Sequence, residues 1–205
     1  MAKIKFTKGE LKSQRDALRQ HERYLPTLQL KKQQLQLEIL TQTSILTEKK
    51  QAESKKREAI RPWIGLLADP GVELSKWIKP KDVVAKVKNI AGVDTPVFIA
   101  VQFVSAEYDL FSTPLWVDAA IEALRGLVSL EEEIAIIEKG VHILRQELRI
   151  ATQRVNLFEK IKIPQAREAI RLIKIYIGDQ MANAVGRSKI AKRKIEEMVL
   201  QGAAT

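Results

Sequence analysis

The chain has no cysteine. That absence removes disulfides, thiolate metal ligands and a thiol nucleophile at once. Glycine and proline are scarce, nine and seven in 205 residues, and five of the prolines fall from Pro62 to Pro114. Scarcity at both ends with clustering in the middle predicts long helices around one interrupted stretch. Aromatic residues make up 5% of the chain and do not interleave with its basic runs, so there is no platform for stacking nucleic-acid bases. No apolar run reaches the length of a membrane span, and Met1 to Lys12 has no apolar signal core. A cytoplasmic location is expected, peripheral to a membrane through partners alone.

The catalytic inventory is equally thin. His21 and His142 each stand alone on an expected helix, where a histidine is far more often a seam or surface residue than a general base. Glu131, Glu132 and Glu133 form the longest carboxylate run, but successive helical residues point in different directions and cannot converge on one ligand. Neither GxxxxGK[ST] nor HExxH occurs. No catalytic residue, no metal and no cofactor are expected, and the chain reads as a mechanical part rather than an enzyme.

What is present is periodicity. Trp116, Ala120, Ala123, Leu127, Leu130, Ile134, Ile137, Val141, Leu144, Leu148, Ala151, Val155 and Phe158 follow one another in alternating steps of four and three. Steps averaging three and a half keep one seam of a helix facing a partner, as a left-handed coiled coil requires. From Trp116 to Ile163 such a helix would be roughly 70 Å long at ~1.5 Å per residue. Its partner is expected in the first sixty residues. There Leu11, Leu18, Leu25, Ile39, Leu46 and Ile60 share one heptad position, with Lys32 and Glu53 as polar members. The companion position holds Gln14, His21, Leu28, Leu35, Gln42, Lys49 and Lys56, and Leu30, Leu37 and Leu40 are expected to widen the apolar side. Pro26 is expected to kink or divide this helix.

Between the helices the pattern changes to short pieces. Val83, Ala85 and Val87 alternate with Lys86 and Lys88, and after the turn residues Asn89, Ala91, Gly92 and Asp94 a second run follows from Val97 to Val104. Two such runs read as a β-hairpin. The expected fold is mainly α, a long antiparallel two-helix left-handed coiled coil with a small middle insert containing that hairpin. In residue numbers it divides into 1–60, a shaft helix; 61–115, an insert with a short helix and the hairpin; 116–200, a second shaft helix with a break near Pro164; and 201–205, a tail.

The net charge of +10 is uneven. Residues 1–60 hold fourteen Lys or Arg against seven acids and residues 160–194 ten against two, whereas residues 61–159 hold eleven against fourteen. Arg187, Lys189, Lys192, Arg193 and Lys194 form the densest run. A basic helix end suits phosphate contact, but no nucleic-acid motif accompanies it. A free-standing coiled-coil scaffold or a basic nucleic-acid-binding rod would account for both ladder and charge.

One segment asks for more. Thr152, Gln153, Arg154, Val155, Asn156, Leu157, Phe158, Glu159, Lys160, Ile161, Lys162, Ile163 and Pro164 lead into a further helix. With its Arg154-Val155-Asn156 run, then Glu159, then Ile163-Pro164, it resembles the C-terminal signature of the D subunits of V-type and archaeal A-type rotary ATPases. Thr7 to Leu18, followed by Leu28, Leu30, Lys31, Lys32, Gln33 and Leu35, is similar to that family's opening helix. Pro26 and Gln153 depart from the family pattern.

The resemblance implies a central-stalk rotor component. Its paired terminal helices would enter the hexamer of catalytic A and regulatory B subunits, and its middle would meet the small F subunit and the C/d socket protein above the membrane ring. No nucleic acid and no direct membrane insertion are implied. Seam residues Leu127, Leu130, Ile134, Ile137, Val141, Leu144, Leu148, Val155 and Phe158 would stiffen the shaft. After Phe158 the next seam position is Lys162, and the seam is expected to resume as Ile170, Ile173, Ile177, Met181, Ala184, Ser188, Ala191, Ile195 and Met198. The basic run from Arg187 to Lys194 would face the hexamer lining.

Overall fold

The computed structural model describes residues 5–68, 74–109 and 113–202. Pro70 and Gly71 of the expected insert and residues 203–205 of the expected tail lie outside the described residues. The elements in order are helix α1 (Lys8–Ile60), a 3-10 segment (Arg61–Ala68), helix α2 (Ser75–Ile78), strands β1 (Pro80–Ile90) and β2 (Val93–Phe103), helix α3 (Trp116–Leu157), a π-helical segment (Phe158–Lys162) and helix α4 (Ile163–Gly202). They form two compact units, an inner one of Leu30–Thr152 and a terminal one of Met1–Gln29 with Gln153–Thr205.

Local chemistry sets the helix ends. Thr7 and Glu10 have capping-box spacing, and the Thr7 hydroxyl oxygen accepts the Glu10 backbone N–H at 3.2 Å. Pro26 lies inside α1, which is not divided there. The Thr27 hydroxyl donates to the Tyr24 carbonyl at 2.8 Å beside it, and the half-buried Leu25 and Leu28 hold the seam on either side. α1 stops at Ile60, one residue before a pre-proline position, where the α conformation is disfavoured. The Trp63 indole N–H then donates to the Ala59 carbonyl at 3.1 Å, satisfying one of the helix's last acceptors.

In the inner unit α1 and α3 run antiparallel. Lys49 pairs with Glu133 at 2.7 Å, Lys50 with Glu138 at 2.5 Å and Arg57 with Glu131 at 2.8 Å. Leu35 packs with Leu144 and Ala151, and the turn end of the hairpin closes that cluster through Val93 and Ala91. A second cluster joins Val117 and Ile121 of α3 to Leu74, Trp77 and Tyr108 of the insert.

The hairpin is antiparallel, with Ile90 opposite Val93 and a register shift between Val84 and Ala85. Its two turn residues, Ala91 and Gly92, have φ of 51° and 77°. Two positive φ values make the tight turn whose twist matches the strands. The Asn89 side chain accepts the Gly92 N–H at 3.1 Å and donates to Asp94 at 2.6 Å, so the turn is braced from within. Thr95 is buried, and its hydroxyl is satisfied by the Lys88 carbonyl at 3.0 Å.

The terminal unit is again an antiparallel helix pair. Phe6 stacks on Tyr176 at 5.0 Å, His21 meets Phe158 edge-on at 5.0 Å, and Glu22 pairs with Arg167 at 2.8 Å. Its covered α4 residues are Ile163, Ala166, Ala169, Ile170 and Ile173, with Ile177 half-buried.

Three seam expectations are corrected. Lys162 is exposed and Ile163 is buried in its place, because the π-helical segment inserts one residue into the step. Leu30, Leu37 and Leu40 do not widen the packed face of α1, being 55%, 69% and 72% exposed. They lie off the stripe defined by the two heptad positions, which carries the half-buried side chains from Leu11 to Glu53. Met181, Ala184, Ser188, Ala191, Ile195 and Met198 are all exposed, so the helix continues beyond the packed seam.

Candidate functional site

The sequence-derived seam residues Leu127 to Leu148 lie on α3 in the inner unit, and Val155 and Phe158 belong to the terminal unit. Leu130, Ile134, Val141, Leu144 and Val155 are buried, and Leu127, Ile137, Leu148 and Phe158 are half-buried. The signature residues then straddle the helix irregularity. Val155 and Ile163 point into the packed face, while Arg154, Asn156, Glu159 and Pro164 are exposed. The signature thus alternates what the terminal pair buries with what it shows to solvent.

Arg187, Lys189, Lys192, Arg193 and Lys194 lie on a part of α4 where every residue from 178 to 199 is exposed. Lys192 has Glu196 at 3.7 Å, an exposed pair worth little. Five cations within eight positions on a single helix can present charge to a surface, and they offer no enclosed pocket for a small ligand.

His21, His142, Glu131 and Glu133 each have a partner within the chain. His21 lies against Phe158, and His142 is 3.2 Å from Gln146 on its own helix. Glu131 and Glu133 are spent on Arg57 and Lys49 of α1. Among the described residues no group of three or more His, Asp and Glu side chains is placed to hold a metal. The wider clefts flank the helix pair of the inner unit. One, of 440 Å³, is lined by Ala59, Ile60, Trp63, Ala119 and Ala123 with Lys56 and Glu122 at its edge. Another, of 500 Å³, lies between Ile64, Leu67, Leu124 and Leu127. Both are open and mainly apolar, the chemistry of a surface on which another protein packs.

Nothing in the sequence marks the structural role of Arg125. Its Nε–H donates to the Trp77 carbonyl at 3.0 Å and another guanidinium N–H donates to the Val104 carbonyl at 2.6 Å, while the guanidinium lies 5.3 Å from the centre of the Phe103 ring. One planar, multidentate cation on α3 therefore ties down the end of α2 and the exit of β2. Residues 48 and 21 positions away cannot be matched to it by any local pattern. The cluster of Val117, Ile121 and Leu74 is likewise off the ladder read from the sequence, because its partner is the insert and not α1.

The described helices include none long and apolar enough to cross a membrane. The sequence profile of the ATP synthase D-subunit family matches residues 10–193. The chain belongs to that family. Its relatives include the V-type ATP synthase D subunit of Borreliella burgdorferi, 45% identical over 195 residues that cover 95% of this chain and 96% of that protein. The V-type ATP synthase D subunit of Chlamydia muridarum is 34% identical over 202 residues, covering 96% and 98% of the two chains. That of Chlamydia caviae is 32% identical over 198 residues, covering 96% and 95%. The family match spans residues of both helix pairs and of the hairpin between them.

Proposed function

We propose that this D-subunit chain is the central-stalk rotor of a V/A-type ATPase, a non-catalytic shaft that passes rotation between the ATP-hydrolysing or ATP-synthesising hexamer and the ion-translocating membrane ring. The observation that carries the reading is the bare, basic stretch of α4 from 178 to 199, which extends a heptad pattern but has no residue covered by its own chain. A helix of this kind is suited to lie inside a sleeve made by others. Small side chains at Ala184, Ser188 and Ala191 keep it slim. The exposed cations Arg187, Lys189, Lys192, Arg193 and Lys194 suit a steered, exchangeable contact with the hexamer of A and B subunits.

The seam from Leu127 to Phe158 supplies stiffness in this reading. The signature Arg154, Val155, Asn156, Glu159, Ile163 and Pro164 lies at the irregularity from which α4 departs. The open apolar clefts beside the insert suit the small F subunit and the socket protein, on the cytoplasmic side of the membrane.

Co-purification from the source followed by mass spectrometry tests the assembly. Recovery of two hexamer proteins, a small companion and a socket protein is the expected result, whereas a lone homodimer or bound nucleic acid would favour a scaffold. Rotation itself is tested by assembling the complex with this chain truncated after residue 177. Hydrolysis-driven rotation of the stalk should be lost while binding of the small companion persists, and unchanged rotation would rule out the shaft role.

A further inference from the structure

We propose that the π-helical segment Phe158–Lys162 is a register joint: it stores one surplus residue of the α3–α4 run, and it is the point at which the terminal helix pair yields to twist. The inference concerns the chain's own mechanics and goes beyond its role in an assembly. Four observations in the terminal unit converge on it.

The first is phase. The covered residues of this run are Val155, Ile163, Ala166, Ala169, Ile170 and Ile173, with Phe158, Leu172 and Ile177 half-buried. Along the seam line Val155, Phe158, Ile163, Ala166, Ile170, Ile173 and Ile177, which Ala169 and Leu172 flank, every step is three or four except the one from Phe158 to Ile163, which is five. In an uninterrupted α-helix the fifth residue would be turned by ~100° away from the seam, and Lys162 would face α1 instead. The second is the hydrogen bond that accommodates the step. The Ile163 N–H donates to the Phe158 carbonyl, five residues back, as a π turn requires.

The third is Pro164. It has no N–H to return to the preceding turn, and in an α-helix its ring would crowd the carbonyl of Lys160. A wider turn ahead of it relieves that crowding at the cost of a regular hydrogen-bond ladder. The fourth is sparse packing. Between Val155 and Ile163 no side chain is buried, residues 159–162 are exposed, and Phe158 meets the edge of a histidine rather than an aliphatic side chain. Few buried contacts around an irregular backbone are the conditions for local opening at low free energy.

A one-residue deletion tests the idea, because a joint and an ordinary helical turn respond in opposite ways. Removing Lys160 should leave Phe158 and Ile163 four apart, turning the π segment into plain α-helix with the same residues facing α1. Removing Glu168, an exposed residue of regular α4 ahead of its last covered turns, should instead rotate Ile170, Ile173 and Ile177 together by ~100° away from the seam. Hydrogen exchange and thermal melting of the full chain read both outcomes. In the Lys160 deletion, amides of residues 159–165 should exchange at least ten times more slowly than in the parent chain, with the melting temperature unchanged or higher. The Glu168 deletion should melt lower.

Pro164→Ala gives an independent variant that keeps the chain length. It should retain helical content and slow exchange in the same segment by several-fold, while leaving residues 166–173 unaffected. Equal destabilisation by the two deletions would overturn the register assignment. Exchange at residues 159–165 as slow in the parent chain as at residues 166–173 would overturn the joint. Neither result bears on whether the chain turns inside a hexamer, since no partner is present in these measurements.

Discussion

The two halves of α4 carry the same kind of heptad and meet opposite fates. From Ile163 to Ile177 its seam positions are buried or half-buried, Ile173 to 0% exposure, and from Met181 to Met198 they stand in solvent, Met198 at 65%. The free half is more basic and smaller along its seam, yet it is not short of apolar residues, for Ile190, Ile195 and Val199 lie in it. What differs is the presence of a facing chain. Phe6, the first described aromatic residue, already meets Tyr176. A ladder in a sequence therefore marks where a helix is prepared for a partner, and the fold determines which part finds one within the chain.

The largest expected effect sharpens that contrast. Ile173→Asp buries an unpaired charge at a fully covered site and should cost about 4 kcal/mol or more, whereas Ile195→Asp in the free half should stay within about 0.5 kcal/mol. Urea titration of the isolated chain measures both. If Ile195→Asp proved equally damaging, the free half would be packed in solution after all. Leu144→Asp should match Ile173→Asp, since Leu144 is 1% exposed in the inner unit.

Arg125→Ala ranks next. It strands the Trp77 and Val104 carbonyls and removes the stacked cation from Phe103, so a loss of about 2 kcal/mol is expected. Hydrogen exchange should locate the damage in the insert and leave the terminal pair unchanged. A change spread evenly over both units would refute the clamp.

Ala91→Asn should act in the other direction. Alanine at φ 51° pays for a left-handed conformation that asparagine tolerates better, and a gain of roughly 0.5 kcal/mol is expected. A destabilised variant would show that the Ala91 methyl, packed beside Val93, matters more than the backbone.

The smallest effect is electrostatic. The Arg171 guanidinium hydrogen-bonded to Glu168 holds that carboxyl below the ordinary glutamate range. A folded-state value below the unfolded one means that the pair stabilises above the unfolded value and loses this contribution as pH falls through the folded one. Arg171→Ala should raise the Glu168 titration midpoint, seen by carboxyl-carbon NMR, with little change in melting because both groups are exposed.

Much of this is legible in the sequence for reasons that can be named. The α3 ladder and the hairpin rest on short periods, and a strand alternation ending in Ala91-Gly92 needs no distant information. The π segment escapes a ladder extended in steps of three and four past Pro164, although that proline and the polar seam position Lys162 are both signs of a slipped phase. Arg125 is invisible for a different cause. Its partners are backbone carbonyls, which every residue possesses, so no residue type marks them. Leu30, Leu37 and Leu40 join the expected core on hydrophobicity alone, yet a helix in a two-helix pair has only a narrow covered stripe.

The uncovered run of α4 also makes the molecule its own gauge for assembly. Arg187, Lys189, Lys192, Arg193 and Lys194 are cleavage points for trypsin along a helix that nothing in the chain shields. In the free chain the innermost cut of this run falls after Arg187, and a fragment ending there would record that the run is unsheathed. A partner that swallowed the helix as far as Arg187 would abolish these cuts, turning insertion into a mass difference read from a spectrum.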